Sequence, residues 1–254
     1  MHSLGVSAVV FAVVFGGALA GMAIRRAMPP ELLGDDVKET VRLAIGLVVT
    51  MTGLVLGMLV SSSKTFYDGQ KRQVAEMSSE IILLSDLLKS YGPETEQVRI
   101  LTRGSTEGAA NRIWPKERSR ASELRPQQQY ADEADAQMRL LVPKNSEQAL
   151  LKSQMSPLVL RLKQTNWMLY LDSEQNSLST PLIVVVTSWL TVIFISFGLF
   201  VPPRATVIIT LLICALAVSA AVFIISSMYS PFSGVFRISP DPIRDALNQM
   251  AAGQ

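Results

Sequence analysis

The chain alternates between long apolar runs and polar stretches of helical period. No charged residue falls within 4–24, 43–63, 175–203 or 205–236. Roughly 20 apolar residues in helical form cross a bilayer core, and a helix satisfies its own backbone hydrogen bonds there. These runs predict four transmembrane helices, at about 4–26, 41–63, 181–201 and 205–228. A polar link at 31–39 and a tight Pro202-Pro203-Arg204 turn join them as two hairpins. The first run lacks a basic segment ahead of it and exceeds the roughly 7–15 apolar residues of a signal peptide, so it reads as a retained helix.

Between the pairs the pattern changes to that of a water-exposed helix. Tyr67, Val74, Met77, Ile81, Leu84, Leu88 and Tyr91 recur at alternating three- and four-residue spacings, with Gln70 interrupting the series. Such a seam packs along another helix, and it is a candidate for assembly or for recruiting a partner. Only Gly69 weakens the helix between positions 60 and 71, so the second span is expected to leave the membrane as one long rod ending at Gly92-Pro93. A helix over 94–113 closes at Pro115, and the charged, Gln-rich stretch 116–130 reads as a loop. Leu151, Met155, Leu158, Leu162 and Leu169 mark another helix, with a kink or a start at Pro157. Positions 177–181 form a hinge into the membrane. Ser239-Pro240-Asp241-Pro242 opens a short last helix with Ile243, Ala246, Leu247 and Met250 on one apolar face.

The predicted fold class is therefore an all-α membrane protein with four transmembrane helices in two hairpins. Its parts are a first hairpin (1–63), an extramembrane helical region (64–180), a second hairpin (181–230) and a C-terminal tail (231–254). Four spans place both termini and the central region on one side. The opposite side holds Arg25, Arg26, Lys38, Arg42 and Arg204, against Lys64, Lys71, Arg72, Arg237 and Arg244, a balance that leaves orientation open.

Composition narrows the chemistry. Charged residues make up 17% of the 254 and hydrophobic ones 49%, whereas a soluble domain carries about 25% charged residues. The single cysteine, Cys214, lies inside the fourth run, and the single histidine is His2. That excludes a disulfide framework and leaves no material for a soft-metal cluster or a Ser-His-Asp triad. Ser61-Ser62-Ser63-Lys64 puts hydroxyls near an amine, but serines capping a membrane exit are the commoner arrangement. Neither an enzyme nor a cofactor is expected. Basic residues form no stripe and the net charge is only +2, so nucleic acid is not an expected partner. No charged side chain lies within the apolar core of a span, which argues against ion-coupled transport and leaves a passive channel open.

The second span carries the most informative pattern. Gly46, Thr50, Gly53, Gly57 and Ser61 lie on one helical face, continued by Lys64. They are candidate pore-lining residues, although small residues also serve close helix packing. Leu47, Met51, Leu54 and Met58 on the neighbouring face are candidates for a hydrophobic constriction that gates by dewetting, or for lipid contact. In the first span, Gly17 and Gly21 form a small-xxx-small helix-packing pair, with Ala12, Gly16 and Ala20 at the same repeat.

The order and spacing of short motifs add a resemblance. Phe15-Gly16-Gly17-Ala18 leads to Arg25-Arg26, and Leu54-Val55-Leu56-Gly57 to Lys64, Phe66, Asp68 and Gln70. Then come Tyr91-Gly92-Pro93-Glu94, Ile113-Trp114-Pro115, Trp189 with Phe197-Gly198-Leu199-Phe200, and Pro231-Phe232 with Gly234 before Ile238-Ser239. In this the chain resembles the bestrophin-like domain family of mostly bacterial membrane proteins, whose layout is similar to that of bestrophin anion channels. The resemblance implies a homo-oligomer, a pentamer by analogy, in the bacterial inner membrane. It also implies a pore lined by the second helix, inorganic ions (anions by analogy) as the conducted species, and a cytoplasmic central region and termini. It does not extend to a calcium clasp, because no carboxylate follows Pro231-Phe232 until Asp241. The competing expectation is a non-conducting scaffold that uses its extramembrane helices to bind partners. In that case the small-residue stripe would be buried against another span of the same chain.

Overall fold

A computed structural model of the chain describes residues 2–29, 35–115, 129–175 and 179–252, and no strand occurs among them. The helices are α1 (His2–Ala27), α2 (Asp35–Tyr91), α3 (Glu96–Ile113), α4 (Gln129–Leu140), α5 (Ser146–Gln175), α6 (Ser179–Phe200), α7 (Ala205–Met228) and α8 (Asp241–Ala252). Four of them are long and apolar enough to cross a membrane: Ser3–Ala27, Lys38–Tyr91, Pro181–Phe200 and Ala205–Met228. The chain is an all-α membrane protein. The expected loop at 116–130, up to position 128, lies outside the described residues, as do 31–34 of the first link and 177–178 of the hinge.

α2 is a single helix of 57 residues. Gly69 does not interrupt it, since one glycine costs only about 1 kcal/mol in a helix interior. It stops where its backbone must turn. Gly92 adopts φ 122°, a conformation that residues with a Cβ rarely take. A single 3-10 turn follows at Pro93–Thr95. The Thr95 hydroxyl, fully buried, lies 2.6 Å from the Leu88 carbonyl and 2.8 Å from that of Gly92 and shares its one proton between them, while the Thr95 N–H donates to Gly92 at 3.2 Å. Gln148 of α5 donates to the Tyr91 carbonyl at 2.9 Å. Acceptors that the helix end would otherwise leave unpaired are thereby satisfied.

Contacts divide the chain into two units, 1–66 with 176–229 and 67–175 with 230–254. In the first, α1 packs on α6 and α7. Val10, Val14, Ala18 and Met22 meet Val186, Leu190, Ile193 and Phe194 of α6 and Leu211, Ala215, Val222 and Ile225 of α7. Gly17 and Gly21 face α6. A Cβ on Gly17 would lie 3.1 Å from the Thr191 side chain, and one on Gly21 would lie 2.1 Å from the Ile195 carbonyl oxygen. Gly198 of α6 returns the contact, because its Cβ would lie 2.1 Å from the Ala18 carbonyl oxygen. Here the two backbones touch directly, with each glycine hydrogen directed at a carbonyl across the interface. Ala12, Gly16 and Ala20, at the same repeat, are exposed and belong to a different face. Two polar contacts tie the bundle. Ser219 donates to the Ser7 carbonyl at 2.7 Å, and Arg25 donates to the Leu199 carbonyl at 3.2 Å, near the C-terminus of α6.

The second unit is built on the rest of α2. Val74, Met77, Ile81, Leu84, Leu88 and Tyr91 are all buried and Tyr67 is partly so. Their partners are Ile113 and Trp114, Met138, Met155, Leu158, Leu169, and Ile243, Ala246 and Met250 of α8. The seam is thus an internal core, which corrects its assignment to assembly with another chain. Its apolar surface is already covered by α3, α4, α5 and the C-terminal segment. Gln70, the polar interruption, is itself buried. It donates to Asp172 at 3.2 Å and to Gln73 at 3.3 Å, and Gln73 donates to the same carboxylate at 3.1 Å. These bonds pair its amide nitrogen, which buried without them would cost about 1–3 kcal/mol.

Pro157 lies inside α5, so no helix begins there. Met155 and Leu158, buried on either side, hold the helix across it. α4 has no counterpart in the expected elements. Its core face is only Ala134 and Met138, too short a period to stand out beside the Gln-rich stretch. Ion pairs add to that face. Lys163 of α5 donates to Asp132 at 3.0 Å and Asp135 at 2.8 Å, and Arg139 adds a forked contact to Asp135. Burial would raise the Asp135 carboxyl, but Lys163 and Arg139 together outweigh it and hold it below the usual carboxylate range. A carboxylate whose pKa is lowered by folding stabilises the fold above its unfolded pKa, and the effect is lost as pH falls through the folded value. Lys163→Met is therefore expected to speed amide exchange in α4 at neutral pH by the equivalent of about 1 kcal/mol. The difference should vanish in acid below the ordinary carboxylate range. Equal exchange at neutral pH would show that the pair does not hold α4.

Candidate functional site

Around the membrane part of α2 the side chains sort into three rows. The first row meets its own bundle. Thr52, Leu59 and Ser63 are buried, and Ile45, Val48, Val55 and Leu56 are partly buried against the core. Its hydroxyls are satisfied locally: Thr52 donates to the Val48 carbonyl at 2.7 Å and Ser63 to the Val60 carbonyl at 2.9 Å. At the end of this row Ser63 also meets the Met228 sulfur, at 3.7 Å. Phe66 packs on Tyr229 with ring centroids 5.7 Å apart, and the Tyr229 hydroxyl lies 3.1 Å from that of Ser62.

The other two rows turn away from it. Gly46, Thr50, Gly53, Gly57, Ser61 and Lys64 are all exposed. A Cβ at Gly46, Gly53 or Gly57 would meet nothing within 4 Å. About a quarter-turn round the helix, Leu47 (64% exposed), Met51 (52%), Leu54 (66%) and Met58 (65%) form the third row. Only 11% of the apolar window of α2 is buried, against 39% of that of α1. No span among the described residues covers the stripe.

The two exposed rows have different chemistry. Leucine and methionine are at home against lipid tails. Glycine, threonine and serine give lipid little to hold and leave backbone carbonyls accessible, which suits a neighbouring helix or water. Thr50 donates to the Leu47 carbonyl at 2.8 Å, so its hydroxyl oxygen still presents lone pairs outward. Lys64 adds a cation at the end of the row.

Elsewhere the structure brings together residues that are remote in sequence. The Trp114 indole, buried, donates to the Ile238 carbonyl at 2.8 Å and packs edge-on against Phe232 at 5.7 Å. Ser78 donates to the Pro242 carbonyl. In the second unit a cavity of about 110 Å³ lies among α2, α3, α4, α5 and α8, with Asp135 and Lys163 among its lining. Sequence reading passed over this cavity, since its apolar walls are ordinary core positions.

The sequence profile of the bestrophin-like domain matches residues 12–243. No curated protein and no solved structure matches the chain.

Proposed function

The chain belongs to the bestrophin-like domain family, and we propose that it is an oligomeric, passive ion channel of the inner membrane, with α2 of each copy facing the axis. Its termini and central helical unit are cytoplasmic in this reading, and the conducted species is an inorganic ion, an anion by analogy with the family's namesake channels. The observation that carries it is the exposed stripe from Gly46 to Lys64, which no span of its own chain covers among the described residues. A non-conducting scaffold would bury that stripe internally and leave the Tyr67–Tyr91 seam free. The exposed stripe and the buried seam favour the channel reading. The absence of charged side chains within the apolar part of α2 suits conduction down a gradient rather than coupled transport.

Purified full-length protein in planar bilayers is expected to give unitary currents. Thr50→Leu and Gly57→Leu, which put bulk on the stripe without touching a packed contact, should reduce them several-fold. Leu54→Ser should raise them by easing dewetting at the apolar row. Silent bilayers across voltages and salts would reject the reading. So would currents indifferent to all three substitutions.

A further inference from the structure

The cavity of about 110 Å³ in the helical unit exists because two helices line it with small side chains. Ser105 and Ala109 of α3 lie four positions apart, and Ala131 and Ala134 of α4 lie three apart, so each pair shares one helical face. Met77 and Ile81 of α2, Leu162 of α5 and Ile243 of α8 supply large apolar walls, which these small residues leave unmet. An empty apolar space lowers stability in proportion to its volume, and a molecule that fills it recovers the lost contacts. Most of the polar lining is satisfied within the chain. Thr102 donates to the Val98 carbonyl and Thr106 to the Thr102 carbonyl, each at 2.8 Å. Lys163 holds Asp132 and Asp135. Ser105 and Asn166 differ: both line the cavity, both are partly exposed, and among the described residues neither has a hydrogen-bonding partner.

We propose that this cavity binds a small neutral aromatic molecule with one ring and one hydroxyl group, a phenol in chemical class. An apolar cavity of about 150 Å³ takes benzene. A space of about 110 Å³ that opens beside Ser105 and Asn166 takes one ring with its substituent at the opening. The Met77 and Met138 thioethers, which line it together with Trp114, favour an aromatic ring over an aliphatic chain. The ligand is neutral because Lys163 already pairs with both aspartates, and an ionised group would have to break that set. Its hydroxyl donates to the Asn166 amide oxygen and accepts from the Ser105 hydroxyl, the two groups left without partners. The inference is independent of conduction, since every lining residue belongs to the helical unit.

The test follows para-fluorophenol by fluorine NMR as full-length protein in detergent is added. A bound signal that saturates is expected. Ala131→Leu, which fills the cavity from α4, should abolish it and leave partition into the detergent unchanged. Asn166→Ala, at a partly exposed position with no bond to lose, should fold normally and weaken para-fluorophenol about fivefold, as loss of one hydrogen bond does. Fluorobenzene, which lacks the hydroxyl, should bind the wild type and Asn166→Ala equally. Absence of saturable binding to the wild type would overturn the proposal, as would undiminished binding to Ala131→Leu. So would an Asn166→Ala chain that weakens both ligands alike or neither. para-Fluorobenzoate bound as tightly as the phenol would overturn it too, by identifying a site for an anion.

Discussion

Gly21→Val is expected to yield no correctly folded protein, whereas Gly16→Val, five positions earlier on the same helix, is expected to fold almost normally. The difference lies entirely in what a side chain meets. At Gly21 the first added carbon would sit 2.1 Å from the Ile195 carbonyl oxygen and 3.0 Å from the carbonyl carbon, both backbone atoms. Neither can rotate aside, so α1 and α6 would have to separate along their whole contact. Overpacking a core against movable side chains costs about 1–3 kcal/mol. Displacing a backbone contact in a domain stable by about 5–15 kcal/mol costs more than most folds can lose. Gly16 has no atom within 4 Å of an added Cβ, so only the modest helix preference changes there. The reciprocal contact, Gly198 against the Ala18 carbonyl, predicts the same outcome for Gly198→Val. Size-exclusion profiles and thermal melts of the three variants in detergent check this, and a well-folded Gly21→Val would show that the helices do not meet as described.

The two glycines also show how much was legible beforehand. A four-residue glycine spacing marks a packing face, and Gly17 and Gly21 do lie on one. The spacing could not name α6 as the partner, because a partner 174 positions away leaves no mark on local period. Nor could it separate Gly17 and Gly21 from Gly16, which the same kind of repeat includes and which faces outward. The four membrane-length helices were readable because an apolar run of that length has one stable form in lipid. The long rod of α2 was readable because nothing before Gly92 breaks it. The seam between Tyr67 and Tyr91 was readable as a buried face, but not as an internal one. Heptad spacing says that a face is covered, and is silent on whether the cover comes from the same chain. α4 was missed for a different reason, since its buried face is only Ala134 and Met138 and part of its hold on the unit is the Lys163 ion pairs.

The candidate pore face was legible as a row and ambiguous as a function. Small residues at four-residue spacing read identically whether a helix lies against them or water does. The ambiguity narrows only when the rest of the unit is placed and the row is found on the outside. The motifs that carry the family resemblance behave differently. Gly17 meets Thr191 and Ile195 of α6, Gly198 of the Phe197-Gly198-Leu199-Phe200 motif meets Ala18, Phe66 meets Tyr229, and Trp114 meets Phe232 and Ile238. These are pairwise packing contacts between distant segments. They give these motifs a part in the fold, and they leave conduction to be decided at the stripe.

The Trp114 contact supports the second large prediction. Trp114→Ala is expected to destabilise the helical unit by about 3–5 kcal/mol, the usual result of emptying a buried aromatic site. It also removes the only hydrogen bond described to the Ile238 carbonyl from outside its own segment, and the edge-on partner of Phe232. Trp114→Phe separates the two effects. It keeps most of the apolar volume but leaves the Ile238 carbonyl without its indole donor, at a cost of about 1–3 kcal/mol. Because Ile238 stands just ahead of α8, whose Ile243, Ala246 and Met250 close the core over Val74, Met77 and Ile81, the loss should be felt first at the C-terminal segment. Hydrogen exchange is expected to rise in α8 before it rises in α6 or α7 of the membrane unit. Limited proteolysis should likewise release the tail from Trp114→Ala at protease levels that spare the wild type. If α8 stays as protected in Trp114→Ala as in the native chain, the tail is held by its apolar face alone and the indole bond contributes nothing to its docking.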